Sequence, residues 1–433
     1  MKKVKIALLG LGNVGKGVLS IIRENKEQIV KRSGYEVEIA KILVRDKDKD
    51  RGIEIPSEIL TTNYDDILND DDIKIVVEVM GGIDPAKEYI IRAMEAKKQI
   101  VTANKMLLAT CGDEVFEKAD EMGVSFQYEA SVAGGIPIIN GINESLTANK
   151  INTLYGIVNG TTNYILSKME LENLNFEDVL KEAQDKGYAE ADPTSDIEGY
   201  DAQYKLVILS SLAFGTKIKP ENVYREGITK INSIDMEYAS SFGMVIKLLA
   251  IAKEENGELE LRVHPTMISE THPLANVYDS FNAVFINGNA VGDMMFYGRG
   301  AGSLPTGSAV VSDIISILRN NVEVENMQPV VKNNLWEMKI KDLKDVESRY
   351  YLRITVSDKP GVLGQITTIF GANKVSLKSV IQKGVKQEEN IDVTLVLITH
   401  STTEGLIMDS IDRLYDLKTV KSIDNIIRIE DFK

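Results

Sequence analysis

A glycine-rich turn set between an apolar run and an amphipathic segment constrains this chain more than any other feature. Residues 4–9 are rich in strand formers, Gly10-Leu11-Gly12-Asn13-Val14-Gly15 follows at once, and Val18, Leu19, Ile21 and Ile22 recur at helical spacing. Strand, turn and helix in that order are what a dinucleotide-binding unit requires. Gly10 permits the tight turn, Gly12 lets the backbone approach a pyrophosphate, and Gly15 lets the helix pack close to the strand. The helix N-terminus then faces the anion. The glycine pattern alone is weak evidence; its strand–turn–helix setting is what gives it meaning.

The following segments extend a parallel α/β sheet. Residues 37–44 read as the next strand, and the residue at its end faces the cofactor ribose. Arg45 there favours NADP, with Lys47 as a second positive group, while Asp46 keeps NAD possible; a solvated basic turn is the alternative. Residues 73–79 form a continuous apolar strand, and Asp84-Pro85 opens a helix. A strand at 99–102 ends in Ala103-Asn104-Lys105, which puts Lys105 near the cofactor crevice, and 124–128 continues the sheet. Glu129 to Pro137 then leaves it, and Gly134-Gly135 expose backbone carbonyls beside the Glu129 carboxylate. That is either a hard-cation site or a plain interdomain turn.

With 433 residues the chain exceeds one ordinary core, so two or three domains are expected. A net charge of −15 argues against a nucleic-acid or anionic-membrane surface, though not against a local anion site. One cysteine allows no internal disulfide and suits a reducing, cytoplasmic setting. No segment is long and apolar enough to span a bilayer.

The middle of the chain carries the charged chemistry. A strand at 151–158 leads to Asn159-Gly160-Thr161-Thr162-Asn163 and a helix at 164–169; the polar cap either binds an anion or simply caps. A helix at 176–186 precedes the loop Gly187 to Pro193, which bears Glu190 and Asp192, and then Asp196, Asp201 and Lys205. Asp201 and Lys205 are one helical turn apart. They are either a solvated ion pair or a partly desolvated lysine held for acid–base work. Strands follow at 259–268 and 283–286, then a turn at 297–306 whose Gly298, Gly300 and Gly302 allow a ligand close, or merely turn tightly, and a helix at 309–318. His264, His272 and His400 show no zinc spacing, and the first two, each before proline, read as loop residues.

A charged, irregular stretch at 320–347 reads as a linker. Beyond it come a strand at 351–356, Asp358-Lys359-Pro360-Gly361-Val362-Leu363 opening a helix at 364–370, strands at 375–381 and 391–398 around a polar hairpin, a helix at 402–414 and a strand at 420–429. This β-α-β-β-α-β order is ferredoxin-like.

In their order along the chain, Gly10 to Gly15, Thr102 to Lys105, Glu129 to Pro137, Asn159 to Tyr164, Gly187 to Lys205 and Gly298 to Thr306 resemble the homoserine dehydrogenase family, in its long form with a C-terminal ACT domain. The resemblance implies a Rossmann domain over 1–135, an α+β substrate and dimerisation domain over 136–320, a linker over 321–348 and an ACT regulatory domain over 349–433. It implies reversible NAD(P)-dependent oxidation of L-homoserine to L-aspartate 4-semialdehyde, on the route to threonine and methionine. Lys205 looks like the acid/base group, Lys105 like a second active-site lysine, and Glu190 and Asp201 like the carboxylates that bind the substrate amino group, with Asp196 a further candidate. The glycine turn with Thr102, Lys105, Gly300 and Gly302 is similar to the cofactor side. Glu129 with the carbonyls of Val132, Gly134 and Ile136 is similar to a site for Na+ or K+. Threonine is the implied effector, and a homo-oligomer, dimer or tetramer, the implied assembly. Lys205 works best with its pKa lowered by Lys105 and burial, against the pull of Asp201. Two rivals remain: a semialdehyde dehydrogenase with Cys111 as nucleophile, and a non-catalytic amino-acid sensor.

Overall fold

The structure, a computed structural model, describes residues 2–320, 337–382 and 392–432. Most of the expected linker and the polar hairpin at 383–391 lie outside those residues. The chain divides into two compact units, one built from residues 1–154, 203–222 and 281–338, the other from 155–202, 223–280 and 339–433. No helix among the described residues is long and apolar enough to cross a membrane.

The first unit holds a parallel sheet of β1 (Lys2–Leu9), β2 (Tyr35–Leu43), β3 (Leu60–Thr61), β4 (Ile73–Glu78), β5 (Gln99–Thr102) and β6 (Phe126–Gln127). Their order is β3-β2-β1-β4-β5-β6, so the direction of winding reverses between β1 and β4. Helices α1 (Asn13–Glu24), α2 (Lys26–Ser33), α3 (Asp65–Leu68), α4 (Ala86–Glu95) and α5 (Lys105–Met122) connect the strands. Successive strand residues face opposite sides. Ile6 and Leu8 join one apolar cluster with Ile22 and Ile75, and Ala7 and Leu9 join another with Val76 and Ile90. Both faces are thus covered at the sheet centre, which is why residues 6–9 of β1 and 75–77 of β4 are continuously apolar.

One face is closed by a distant helix, Ser303–Asn320, whose Val310, Ile314 and Ile317 enter the first cluster. It approaches α1 backbone to backbone. A Cβ at Gly17 would lie 1.9 Å from the Ser303 carbonyl oxygen, and one at Gly307 would lie 2.6 Å from the Gly17 carbonyl carbon. The expected turn at 297–306 is shorter than the glycines suggested. Phe281–Gly288 and Gly292–Arg299 pair as an antiparallel hairpin up to Arg299, and the helix already begins at Ser303.

The second unit is built on an antiparallel pair, Met244–Glu255 with Glu258–Ser269, in unbroken register. The expectation that His264 lies in a loop fails here. It sits within the second of these strands, fully buried, because Pro265 is accommodated opposite Leu248 without ending the pairing. The C-terminal residues form the expected β-α-β-β-α-β module: strands Glu347–Ser357, Leu377–Gln382, Asp392–Thr399 and Val420–Glu430, with helices Val362–Ala372 and Glu404–Tyr415. Its last strand pairs parallel with Glu258–Ser269 at Thr266, Met267 and Ile268, so the module continues the sheet of the antiparallel pair. Lys339–Ile340 also pairs along that strand, at Glu258 and Leu259.

Lys247, on the strand Met244–Glu255, is fully buried. Its Nζ donates to the Val277 carbonyl at 3.1 Å, lies 3.8 Å from a Glu170 carboxylate oxygen and sits over the Tyr278 ring. Burial lowers its pKa to about 8, with Glu170 opposing. The native protein therefore binds fewer protons than the unfolded chain from about pH 8 to the ordinary lysine value. Below that window the folded state carries the whole cost of a buried charge, and stability recovers as pH rises through it. We expect Lys247→Met to flatten this rise, shifting the wild-type-minus-variant difference by up to about 3 kcal/mol between pH 7 and 10.5 in denaturant unfolding.

Candidate functional site

The glycine turn, the end of β2, the end of β4 and the start of α4 enclose a cavity of about 620 Å³. The glycines divide by role. Gly10 has φ +100° and donates to the Leu43 carbonyl, and a Cβ on Gly15 would lie 2.6 Å from the Gly10 carbonyl oxygen. The fold itself requires those two. A Cβ on Gly12 would meet nothing within 4 Å, so the space beside it is left for something else. Leu11 and Asn13 also line the cavity, and Gly12 is the N-cap of α1, the helix on which Val14 sits. Ser303 Oγ donates to the Asn13 carbonyl at 2.6 Å, which brings the segment holding Gly300 and Gly302 beside the glycine turn.

Arg45 is exposed on the cavity wall with Asp46. Lys47 is not on that wall; besides Lys16 on α1, the positive groups found there are Lys49 and Arg51 with Arg45. Their spacing in a loop after β2 follows no period, so sequence alone could not select them. The Arg51 guanidinium donates to the Lys49 carbonyl at 2.7 Å and to the Asp46 carbonyl, which folds the loop back on itself.

At the ends of β4 and β5, Glu78 is fully buried. Its carboxylate accepts from Thr102 Oγ1 and from the Met80 and Gly81 N–H groups. Asn104 caps α5 through Leu107 N–H and donates to the Gly82 carbonyl at 2.6 Å. Thr102 and Asn104 thus pin the loop after β4 and aim the first turn of α5. Lys105, half-buried, is its first residue. Cys111, further along α5, packs against the apolar cluster that contains Leu107 and Val115, where a thiol acts as a small apolar side chain.

The Glu129 carboxylate is buried and accepts from the Ile139 and Asn140 N–H groups, both at 2.8 Å. Its backbone N–H donates to Asp313 Oδ2 at 2.9 Å. Burial pushes both carboxyls up, Asp313 well above its ordinary value, and the Glu129 carboxylate raises Asp313 further, while the backbone N–H groups that Glu129 accepts from oppose its own rise. Val132, Gly134 and Ile136 lie buried in the adjoining turn, and the Ile136 carbonyl accepts from Ile138 N–H. Gly135 N–H donates to the Arg299 carbonyl, tying this turn to the end of the hairpin.

In the second unit Asn159 links two of the candidate carboxylates. Its Oδ1 accepts from Thr162 N–H, capping the helix Gly160–Glu172. Its Nδ2 donates to Asp196 at 2.7 Å and to Asp201 at 2.8 Å. Capping and charge recognition were alternatives in the sequence; the amide performs the first and orients both carboxylates besides. Thr161 Oγ1 donates to the Tyr188 carbonyl, and Gln184 to the Glu190 carbonyl, so the loop bearing Glu190 is held by its backbone while the Glu190 side chain is exposed. Asp201 and Lys205 are both buried, one turn apart on the helix Tyr200–Phe214, within which the two units divide.

Family profiles match three stretches of the chain: the NAD-binding domain of homoserine dehydrogenase over residues 10–129, homoserine dehydrogenase itself over 137–315, and the ACT domain over 350–414. The homoserine dehydrogenase of Bacillus subtilis is 41% identical over 435 aligned residues, covering 99% of both chains. The crystal structure of a homoserine dehydrogenase from Thiobacillus denitrificans is similar with a TM-score of 0.94 at 43% identity, covering 100% of this chain and 99% of that one. A hyperthermophilic archaeal homoserine dehydrogenase in complex with NADPH is similar with a TM-score of 0.62 at 29% identity, over 73% of this chain and 97% of its own.

The contact between α1 and the helix Ser303–Asn320 supports the glycine turn from below. Adding a methyl at Gly307 has no flexible side chain to displace, only the backbone of Gly17 and Val18. We expect Gly307→Ala to cost roughly 1–3 kcal/mol of stability in denaturant unfolding, as overpacking does. It should also weaken dinucleotide binding in calorimetric titration; wild-type stability and affinity would contradict this account of the contact.

Proposed function

The chain belongs to the homoserine dehydrogenase family and is an NAD(P)-dependent oxidoreductase, and we propose that it interconverts L-homoserine and L-aspartate 4-semialdehyde with Lys205 as the proton-transfer group. The observation that carries the residue assignment is the Asn159 amide. It orients Asp196 and Asp201, and Asp201 stands one turn before a buried lysine on the same helix. A bound nicotinamide supplies the hydride chemistry at the alcohol carbon. During oxidation neutral Lys205 takes the hydroxyl proton as the C–O bond becomes a carbonyl; during reduction its ammonium returns that proton. Lys105, at the start of a helix whose cap is fixed by Asn104, is the second active-site lysine and steadies negative charge on the substrate. Glu190 and Asp201 bind the substrate ammonium, with Asp196 in support.

NADP is the favoured cofactor. Arg45, Lys49 and Arg51 on the cavity wall supply the positive charge that a 2′-phosphate needs, whereas Asp46 on the same wall would suit the free ribose of NAD. Thr102, through Glu78, and Gly300 and Gly302, through the Ser303–Asn13 bond, belong to the cofactor side. A monovalent cation, Na+ or K+, fits the Glu129 turn. Both carboxyls there are pushed up by burial, and the Glu129 charge raises Asp313 further. An all-oxygen set of the Glu129 carboxylate with the Val132, Gly134 and Ile136 carbonyls suits a hard cation.

The ACT domain fits an amino-acid effector, with threonine as the proposed one, so that the enzyme serves threonine and methionine synthesis in the cytoplasm. A dimer or tetramer would cover the exposed apolar strip of Val291, Met295 and Tyr297 on the hairpin.

Lys205→Ala should lower turnover roughly 10²–10⁴-fold, the usual worth of a positioned acid–base group, while cofactor affinity stays near wild type. Near-wild-type steady-state rates in that variant would sink the assignment. Arg45→Ala should raise the KM for NADP⁺ about tenfold, as loss of a charge-assisted contact does, and leave that for NAD⁺ alone. Titration with threonine should give heat and inhibition at millimolar concentration; neither would remove threonine as the effector.

A further inference from the structure

We propose that Tyr89 is the platform on which the adenine ring of the cofactor stacks, an inference that rests on the dinucleotide reading of the cavity. The cavity has one basic and one apolar side. The basic side follows β2 and carries Arg45, Lys49 and Arg51; the apolar side carries Val79 and Met80 from the end of β4, with Pro85 and Tyr89. Tyr89 is the single aromatic residue among those lining it.

The geometry of the ring is built rather than incidental. Tyr64, buried at 4% exposure, covers one face of Tyr89, with ring centroids 4.2 Å apart and planes 17° from parallel. Tyr64 Oη donates to the Tyr89 carbonyl at 2.6 Å, which fixes the pair in register. The Arg92 guanidinium lies over the Tyr64 ring, 5.2 Å from its centroid, and is itself held by Asp65 at 2.6 Å. Tyr64, with Arg92 over its ring, thus backs the half-buried Tyr89 at the cavity. One face of Tyr89 is taken, and the residue lines an open space.

Connectivity of the ligand selects which part of it meets that ring. The pyrophosphate belongs at the glycine turn and the N-terminus of α1, and the adenosine ribose at the end of β2. The base attached to that ribose must then lie in the remaining space between the end of β2 and the start of α4, where Tyr89 is. A purine and a tyrosine ring stack through their faces with little demand on hydrogen bonding. Tyr89 so placed contributes affinity for the adenine end and leaves the choice between NAD and NADP to the basic wall.

The test uses the full-length protein and adenosine 2′,5′-bisphosphate, which carries the base, ribose and 2′-phosphate without the nicotinamide. Calorimetric titration should show Tyr89→Leu binding it roughly 10- to 100-fold more weakly than wild type, the range expected for loss of base–aromatic stacking. Tyr89→Phe keeps the ring and should stay within about threefold of wild type. Equal affinity in wild type and Tyr89→Leu overturns the proposal while leaving the dinucleotide reading intact. So does a Tyr89→Phe variant as weak as Tyr89→Leu, since the hydroxyl rather than the ring would then be at work. Failure of the wild type to bind the bisphosphate overturns the NADP reading of the basic wall, and the same comparison of wild type with Tyr89→Leu made with NAD⁺ then decides the stack, equal affinities overturning it.

Discussion

The nucleotide-binding unit depends on two missing side chains. Gly17 on α1 and Gly307 on the helix Ser303–Asn320 let two helix backbones meet at distances that any Cβ would forbid. Through that contact a segment 290 residues along the chain seals the sheet face on which Ile6, Leu8 and Ile75 lie. The same contact sets Ser303 against the Asn13 carbonyl. The dinucleotide turn is therefore completed by a late part of the sequence. A nucleotide-binding half excised at residue 135 would leave Val18, Ile22 and their cluster without Val310, Ile314 and Ile317, exposing apolar surface that the intact chain covers.

How much of this was legible in the sequence follows from how local each signal is. The strands β1, β4 and β5 could be read because burial on both faces makes them continuously apolar, and the turn because its glycines are three residues of one motif. The strand Met244–Glu255 is almost as apolar, but it lies in the second unit with no turn motif to announce it, and the sequence reading did not assign it. The glycines at 298, 300 and 302 predict a turn from 297, and nothing in the sequence assigns the strand Gly292–Arg299; pairing with Phe281–Gly288 carries the strand to Arg299. The proline after His264 predicts a loop, yet the pairing continues through Pro265 opposite Leu248.

Site residues divide along the same line. Asp201 and Lys205 were legible because four residues make one helical turn. The Asn159 bridge was not, because its partner Asp201 is 42 residues away and an N-terminal asparagine reads equally well as a cap. Lys49 and Arg51 occupy a loop, where spacing carries no directional information, so the sequence points no more to them than to Lys47 as the partner of Arg45. The Tyr64–Tyr89 stack joins a helix cap to a separate helix and leaves no periodic trace. Resemblance to a family supplied roles that spacing left open, and the packing supplied the reason each group is held still.

The C-terminal module is joined to the antiparallel pair by more than strand hydrogen bonds. Arg262, at 1% exposure, contacts Glu260 on its own strand and Glu430 on the module's last strand. Arg428 contacts Glu404 within the module and Glu226 beyond it, and Arg353 reaches Asp235 at 2.8 Å. Burial alone would disfavour such charges, and breaking one partner leaves the other unpaired in a dry seam. Sliding the last strand by one residue would part Thr266 from Arg428 and Ile268 from Glu430, and so unpair several buried groups at once. Gradual slippage is thereby excluded as the way this module moves. An effector bound to the module can act through rigid displacement of the shared sheet, or through a discrete rearrangement in which all the ion pairs change partners together. The interior of the seam reinforces that two-state character. His264 is held neutral by burial and by the nearby arginines, so it adds no charge that could soften the exchange at neutral pH.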